Sequence, residues 1–257
     1  MTITINRHKF IPLGFSLFLF LATNISAEYF PQSKNWEISS PEDQGVSSAN
    51  VNKLIDLSFL DNSTSAVVVI KNGKIIGEKY ADGYNKSSHG TSWSMAKSYY
   101  AALIGISLDK GEIQSLDENV ANYLEYFNDE RSKITIRDLL DMSSGLDFPS
   151  HEHEKMFFQS DHLKYAKTVG VEKEAGLKFE YNNVNSMLLG DILFQATGKK
   201  ADVLLKERIL EPLGIKDYKL WKDEMGNVMT YCCVDMSARD YSKFGILFSR
   251  NGMWNDS

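Results

Sequence analysis

Residues 65–80 read as a single β-hairpin in a chain that otherwise reads as helices, and this imbalance constrains the fold more than any other feature. Ser65 to Ile70 is a β-branched run, Lys71-Asn72-Gly73-Lys74 holds an Asn-Gly turn signal, and Ile75 to Tyr80 alternates less cleanly as the return strand. A lone two-stranded hairpin is marginal in water. Its strands need partners, yet nothing upstream supplies them and no convincing strand signal follows residue 220. Either the hairpin packs only on helices, or closing strands that belong after residue 257 are missing. The expected fold class is α+β, an N-terminal antiparallel hairpin of a sheet plus a helical region.

The helices are placed by periodicity and punctuation. Ser47 to Leu60 has the apolar spacing Val51, Leu54, Ile55, Leu57 of an amphipathic helix. After a loop over 81–91, a second helix runs from about Ser94 to Lys110 with Gly111 at its C-terminus. Thr135-Ile136-Arg137-Asp138 is a capping-box variant with Asp at N3, and the helix it opens ends at Ser143-Ser144-Gly145. Asn183 to Ala196 is closed by Gly198, Val203 to Leu210 is stopped by Pro212 and Gly214, and Ser237 caps a helix that reaches Arg250.

The second helix carries chemistry. Ser94-Met95-Ala96-Lys97 places a hydroxyl and an amine three residues apart, hence on one helical face. Neutral serine is a poor nucleophile, and an adjacent lysine is one of the groups that activates it. Ser107-Leu108-Asp109-Lys110 has the same spacing but lies in the last turn, where the helix dipole opposes a developing oxyanion. Ser94 lies at the start, where backbone N–H groups are free and the dipole is positive.

Before the apolar run Phe10 to Ala22 stand Arg7, His8 and Lys9, and Ser26-Ala27 follow it. Residues 1–27 therefore read as a secretory signal peptide and 28–257 as one exported domain, periplasmic or secreted. The run is short of the roughly 20 residues of a spanning helix, so no stable membrane insertion is expected after cleavage. Losing Arg7 and Lys9 and no acid takes the formal charge from −6 to −8, a poor match for nucleic acid or anionic lipid. The two cysteines, Cys232 and Cys233, are adjacent, a strained arrangement for a disulfide, and read as small buried hydrophobes near a helix start. His151-Glu152-His153-Glu154 reads as a solvated loop, because histidines at i and i+2 point apart on a helix.

Taken in order, several segments converge on one family: Ser94-Met95-Ala96-Lys97; Leu108-Asp109-Lys110-Gly111; Ile134 to Leu140 with Ser143-Ser144-Gly145-Leu146; Phe179 to Asn183; Glu211-Pro212-Leu213-Gly214-Ile215; and Ala238-Arg239-Asp240-Tyr241 with Phe244-Gly245. From about residue 40 to 257 the chain resembles the serine β-lactamase and penicillin-binding-protein superfamily, above all its class C-type branch with esterases and 6-aminohexanoate-dimer hydrolases. The resemblance implies a β-lactamase/transpeptidase-like fold and a serine hydrolase that cleaves an ester or small amide through a Ser94 acyl-enzyme. It implies no metal and no cofactor; the partner is a small-molecule ester or amide substrate.

The family's Tyr-x-Asn element is matched by Tyr181-Asn182-Asn183, 87 residues after Ser94. Tyr181 then exchanges protons with Ser94 or the leaving group, with either Lys97 or Tyr181 as the base. Asn183 binds a substrate carbonyl or holds Lys97, or else simply caps the helix it precedes. Tyr126-Phe127-Asn128 meets the same pattern only 32 residues after Ser94 and is set aside as chance. The family's third element, Lys-Thr-Gly or His-x-Gly on a C-terminal strand, does not follow Tyr181. That strand would give the second oxyanion donor, a loss of about 10²–10³ in rate, so the expectation is a C-terminally truncated hydrolase with little or no turnover. Within the class the rival is a DD-peptidase or β-lactamase; outside it, a non-catalytic peptidoglycan-associated binding protein.

Overall fold

A computed structural model describes residues 29–32 and 35–255. The signal peptide expected over 1–27 lies outside the described residues. In chain order the elements are α1 (Ser48–Ser58), β1 (Ala66–Lys71), β2 (Lys74–Tyr80), β3 (His89–Thr91), α2 (Ala96–Asp109), α3 (Ile136–Leu140), α4 (His153–Phe157), α5 (His162–Thr168), α6 (Asn183–Thr197), α7 (Ala201–Leu205), β4 (Lys219–Leu220), β5 (Val234–Ser237) and α8 (Ala238–Ser249).

The hairpin forms where the turn signal places it. Asn72 and Gly73 both have positive φ, 53° and 78°, the backbone of a tight antiparallel turn, and β1 pairs β2 from Ala66↔Tyr80 to Lys71↔Lys74. It packs against helices of this chain. Ile76 meets Val51 and Ile55 of α1, while α8 lies against β1. Two expected contacts fail, since Leu54 and Leu57 of α1 stay about half exposed. Upstream chain also contributes, because Ile75 bonds in parallel fashion to the 37–39 segment through Ile75 N–H to Glu37 O and Ser39 N–H to Ile75 O, each 3.0 Å.

Reading 81–91 as loop and the chain beyond 220 as strandless is corrected by a second sheet of order β3-β5-β4, antiparallel throughout. Its strands are two to four residues long, too short to show a period. This sheet matters for the site because β3 runs directly into the Ser94 turn.

Helices α2 and α6 form the centre of the core. Tyr99, Tyr100, Leu103 and Ile104 of α2 and Val184, Leu188 and Ile192 of α6 are all fully buried. Capping follows the sequence at Thr135, whose side chain and that of Asp138 form a full capping box, and at Ser237, which accepts from Asp240 N–H. The helix expected over Val203–Leu210 divides, α7 giving way to a π-helical turn over Lys206–Leu210. His151 to Glu154 is helical rather than loop, spanning a 3₁₀ turn and the start of α4. Cys232 and Cys233 are buried as expected but are bonded to each other, and they precede β5 rather than a helix. Among the described residues no helix is long and apolar enough to cross a membrane.

Candidate functional site

The turn that presents Ser94 is held from one side by the stretch 230–237. Thr91 pairs with Asp235 across β3 and β5, and its hydroxyl donates to the Asp235 carboxylate. One residue on, Ser92 N–H donates to Val234 O at 2.9 Å, and Val234 N–H donates to Ser92 Oγ at 2.9 Å. Cys233 N–H reaches Trp93 O at 3.2 Å. These contacts hold Trp93 in the left-handed region, φ 44°, a conformation costing a bulky residue on the order of 1–3 kcal/mol. A 3₁₀ turn over Trp93–Met95 then leads into α2, so Ser94 precedes the α-helix proper and its side chain is solvent-exposed.

Lys97, in the first turn of α2, reaches back. Its Nζ is 3.1 Å from Ser94 Oγ and donates to the backbone carbonyl of Tyr231 at 2.7 Å. Two aromatic rings flank it, Tyr181 with its centroid 4.9 Å from Nζ and Tyr231 at 5.8 Å. Among the described residues no carboxylate pairs with this amine, and burial pushes its pKa down to about 8. A lysine so placed is neutral about a tenth of the time at pH 7 and about half the time at pH 8. As an amine it still donates to Tyr231 O while its lone pair faces the Ser94 hydroxyl.

Tyr181 is brought in by a loop that the Ser143-Ser144-Gly145 segment holds. Gly145 has φ 71°, and a Cβ there would stand 2.0 Å from Lys173 O. Gly145 O accepts from Glu172 N–H, Ser143 O from Gly176 N–H, and Met142 O from Glu180 N–H, at 2.9, 2.8 and 2.7 Å. Ser144 Oγ donates to Asn185 Oδ1 at 2.7 Å, tying the same turn to α6. Asn182, not Asn183, caps α6, its side chain accepting from Val184 and Asn185 N–H. Asn183 is thereby left free of the capping role, and its Oδ1 is buried with no hydrogen-bond donor. Tyr126, of the pattern set aside as chance, is structural: its hydroxyl donates to Asp191 at 2.9 Å.

Four residues at or beside the site carried no sequence signal. Trp93 is 60% exposed beside the nucleophile and lies 6.2 Å, ring to ring, from Trp221, whose indole N–H donates to Asp235 at 2.9 Å. Tyr231 adjoins Lys97, and its hydroxyl lies 3.0 Å from the Nδ1 of buried His162. Only chain proximity to the Ala238-Arg239-Asp240 segment could have drawn attention to Tyr231. A cavity of about 310 Å³ lined by residues including Lys167, Asp191, Lys200 and Thr230 contains none of Ser94, Lys97 or Tyr181.

Known proteins share this arrangement at the level of fold. A solved structure from Bacillus anthracis, provisionally assigned as a 6-aminohexanoate-dimer hydrolase, superposes with a TM-score of 0.68 at 23% identity, covering 89% of this chain and 64% of that one. Curated relatives include an N-acetylmuramyl-L-alanine amidase of Bacillus subtilis, 27% identical over 65% of this chain and 44% of its own length. A D-aminopeptidase of Brucella anthropi is 29% identical over 62% of this chain and 33% of its own length. The chain thus spans less than half the length of these curated relatives. The family model described as Beta-lactamase matches residues 60–230, which carry Ser94, Lys97 and Tyr181. The chain belongs to the β-lactamase family.

Proposed function

We propose that this protein is an exported serine hydrolase in which Ser94 attacks the carbonyl of an ester or small amide, forms an acyl-enzyme and is released by water. The observation that carries this reading is the Lys97 amine 3.1 Å from Ser94 Oγ, paired with no carboxylate among the described residues and with its pKa pushed down to about 8. Lys97 takes the hydroxyl proton as Oγ bonds to the carbonyl carbon. The tetrahedral oxyanion then collapses, expelling the alcohol or amine, which receives a proton through Lys97 or the Tyr181 phenol. The relay is assigned to Tyr181 because its ring lies 4.9 Å from Lys97 Nζ, and Asn183, whose Oδ1 has no partner among the described residues, is assigned to binding a substrate carbonyl through its amide or to holding Lys97.

The experiment is mass spectrometry after reaction with a fluorophosphonate and, separately, with p-nitrophenyl esters. Covalent labelling of Ser94, lost in Ser94→Ala, supports the reading. A folded protein that takes no label favours the non-catalytic binding alternative.

A second reading, an amide hydrolase acting on D-amino-acid or cell-wall peptides, is favoured by the names of the curated relatives, an amidase and a D-aminopeptidase. Stoichiometric labelling of Ser94 by penicillin, with negligible ester turnover, would decide for it.

A further inference from the structure

We propose that His162 is a positioning residue for Lys97, acting through Tyr231. The proposal rests on the reading of Lys97 as the group that activates Ser94, and it assigns the origin of that lysine's water-poor setting to a histidine far from it in sequence.

The chain of contacts is continuous and its donors are fixed by chemistry. Phe157 O can only accept, so His162 Nε2, 3.1 Å away, carries the proton. In the neutral ring Nδ1 is then an acceptor, and the Tyr231 hydroxyl 3.0 Å away donates to it. Burial pushes the Tyr231 phenol up, with the Asp223 carboxylate adding to the effect, so the hydroxyl keeps its proton for this bond. His162 is itself 1% exposed, and its backbone N–H donates to Asp223 Oδ2 at 2.9 Å. Asp223 also accepts from Asn227 N–H at 2.8 Å and Asn227 Nδ2 at 2.8 Å. One carboxylate thereby ties the start of α5 to the loop that leads into Tyr231.

Tyr231 turns this anchoring into a property of Lys97 in two ways. Its backbone carbonyl takes the 2.7 Å bond from Nζ, and its ring, 5.8 Å from the amine, joins the Tyr181 ring at 4.9 Å in covering it. Backbone bonds hold the neighbouring residues, Cys232 N–H to Met229 O at 3.0 Å and Cys233 N–H to Trp93 O at 3.2 Å. Thr230 Oγ1 bonds to Ser186 O at 2.6 Å. The Tyr231 ring is packed in the core at 3% exposure, and its hydrogen bond to His162 is the polar contact that sets the direction of its hydroxyl. Without that acceptor the ring carries a buried, unsatisfied hydroxyl, which is relieved by tilting toward water or admitting a water molecule. Either response hydrates Lys97.

The test is the titration of Lys97 itself, followed by NMR of protein carrying ¹³Cε-lysine, with the resonance assigned through Lys97→Met. Wild-type Lys97 should titrate near pH 8. In His162→Phe, which keeps an aromatic ring but removes the acceptor, the midpoint should rise by up to about one pH unit. His162→Gln, which restores an acceptor, should return it toward the wild-type value. If His162→Phe does not fold, His162→Leu removes the acceptor with a smaller apolar side chain, leaves the Tyr231 hydroxyl unsatisfied in the same way, and should move the midpoint in the same direction. A purely structural histidine lowers the melting temperature and leaves the Lys97 midpoint where it was, and that result overturns the proposal. A shifted midpoint in a protein whose Ser94 never takes a fluorophosphonate supports the positioning and removes the hydrolase reading instead.

Discussion

Lys97 Nζ donates a 2.7 Å hydrogen bond to the backbone carbonyl of Tyr231, which lies 134 residues further along the chain. A carbonyl carries only a partial charge and cannot hold an ammonium as a carboxylate would. The bond therefore orients the lysine without locking it in the protonated form. That is what a base for Ser94 requires, a fixed direction and an accessible neutral state.

The contribution of Lys97 is separable from its role in the fold. Lys97→Met keeps the length of the side chain and removes the amine. The rate of Ser94 labelling by a fluorophosphonate should fall about 10²–10⁴-fold, the usual contribution of a positioned base. Thermal melting at pH 6 should be unchanged or higher, because the variant no longer buries an ammonium.

The pH dependence follows from the direction of the shift. With a folded-state value of about 8, below the ordinary 10.5, labelling should rise as pH increases through about 8 and level off above it. The same shift means that the unfolded chain holds the extra proton between about pH 8 and 10.5. The group's destabilising effect is therefore fully present below about 8 and is relieved as pH rises through that window. Labelling rates and urea midpoints measured across pH 6–10, in wild type and Lys97→Met, check both signs; both trends should vanish in the variant.

Gly145→Ala should damage the fold and the site together. At φ 71° a side chain is strained, and its Cβ would meet Lys173 O in backbone that cannot move away cheaply. The expected loss is about 3 kcal/mol in urea denaturation, at the upper end for single substitutions. Labelling of Ser94 should change less than in Lys97→Met, since Gly145 acts on the loop that carries Tyr181.

Thr135→Ala is the contrasting case. It removes a capping box on α3, well outside the Ser94 turn, and should cost about 1 kcal/mol of stability with no change in labelling rate at 25 °C.

What the sequence disclosed and what it hid divide along chain distance. Ser94 and Lys97 are three residues apart on one helix start, so local geometry alone predicted their contact. The hairpin, the Thr135 and Ser237 caps and the Gly198 terminus are likewise local events written in two to four residues. The β3-β5-β4 sheet was illegible because its strands are too short to alternate and β3 finds β5 across about 145 positions. His162 and Tyr231 were hidden for the same reason: each is an ordinary buried aromatic by local pattern, and only the fold brings them to Lys97. At Asn182 and Asn183 two equivalent residues competed for one cap, and local pattern could not rank them.

The most direct measurement is intact-mass and peptide mass spectrometry of the protein after reaction with a fluorophosphonate at pH 8.5. One adduct is expected, on Ser94, absent from Ser94→Ala and strongly slowed in Lys97→Met. A folded protein that remains unmodified, or one modified at a residue other than Ser94, would contradict the assignment of Ser94 as the nucleophile.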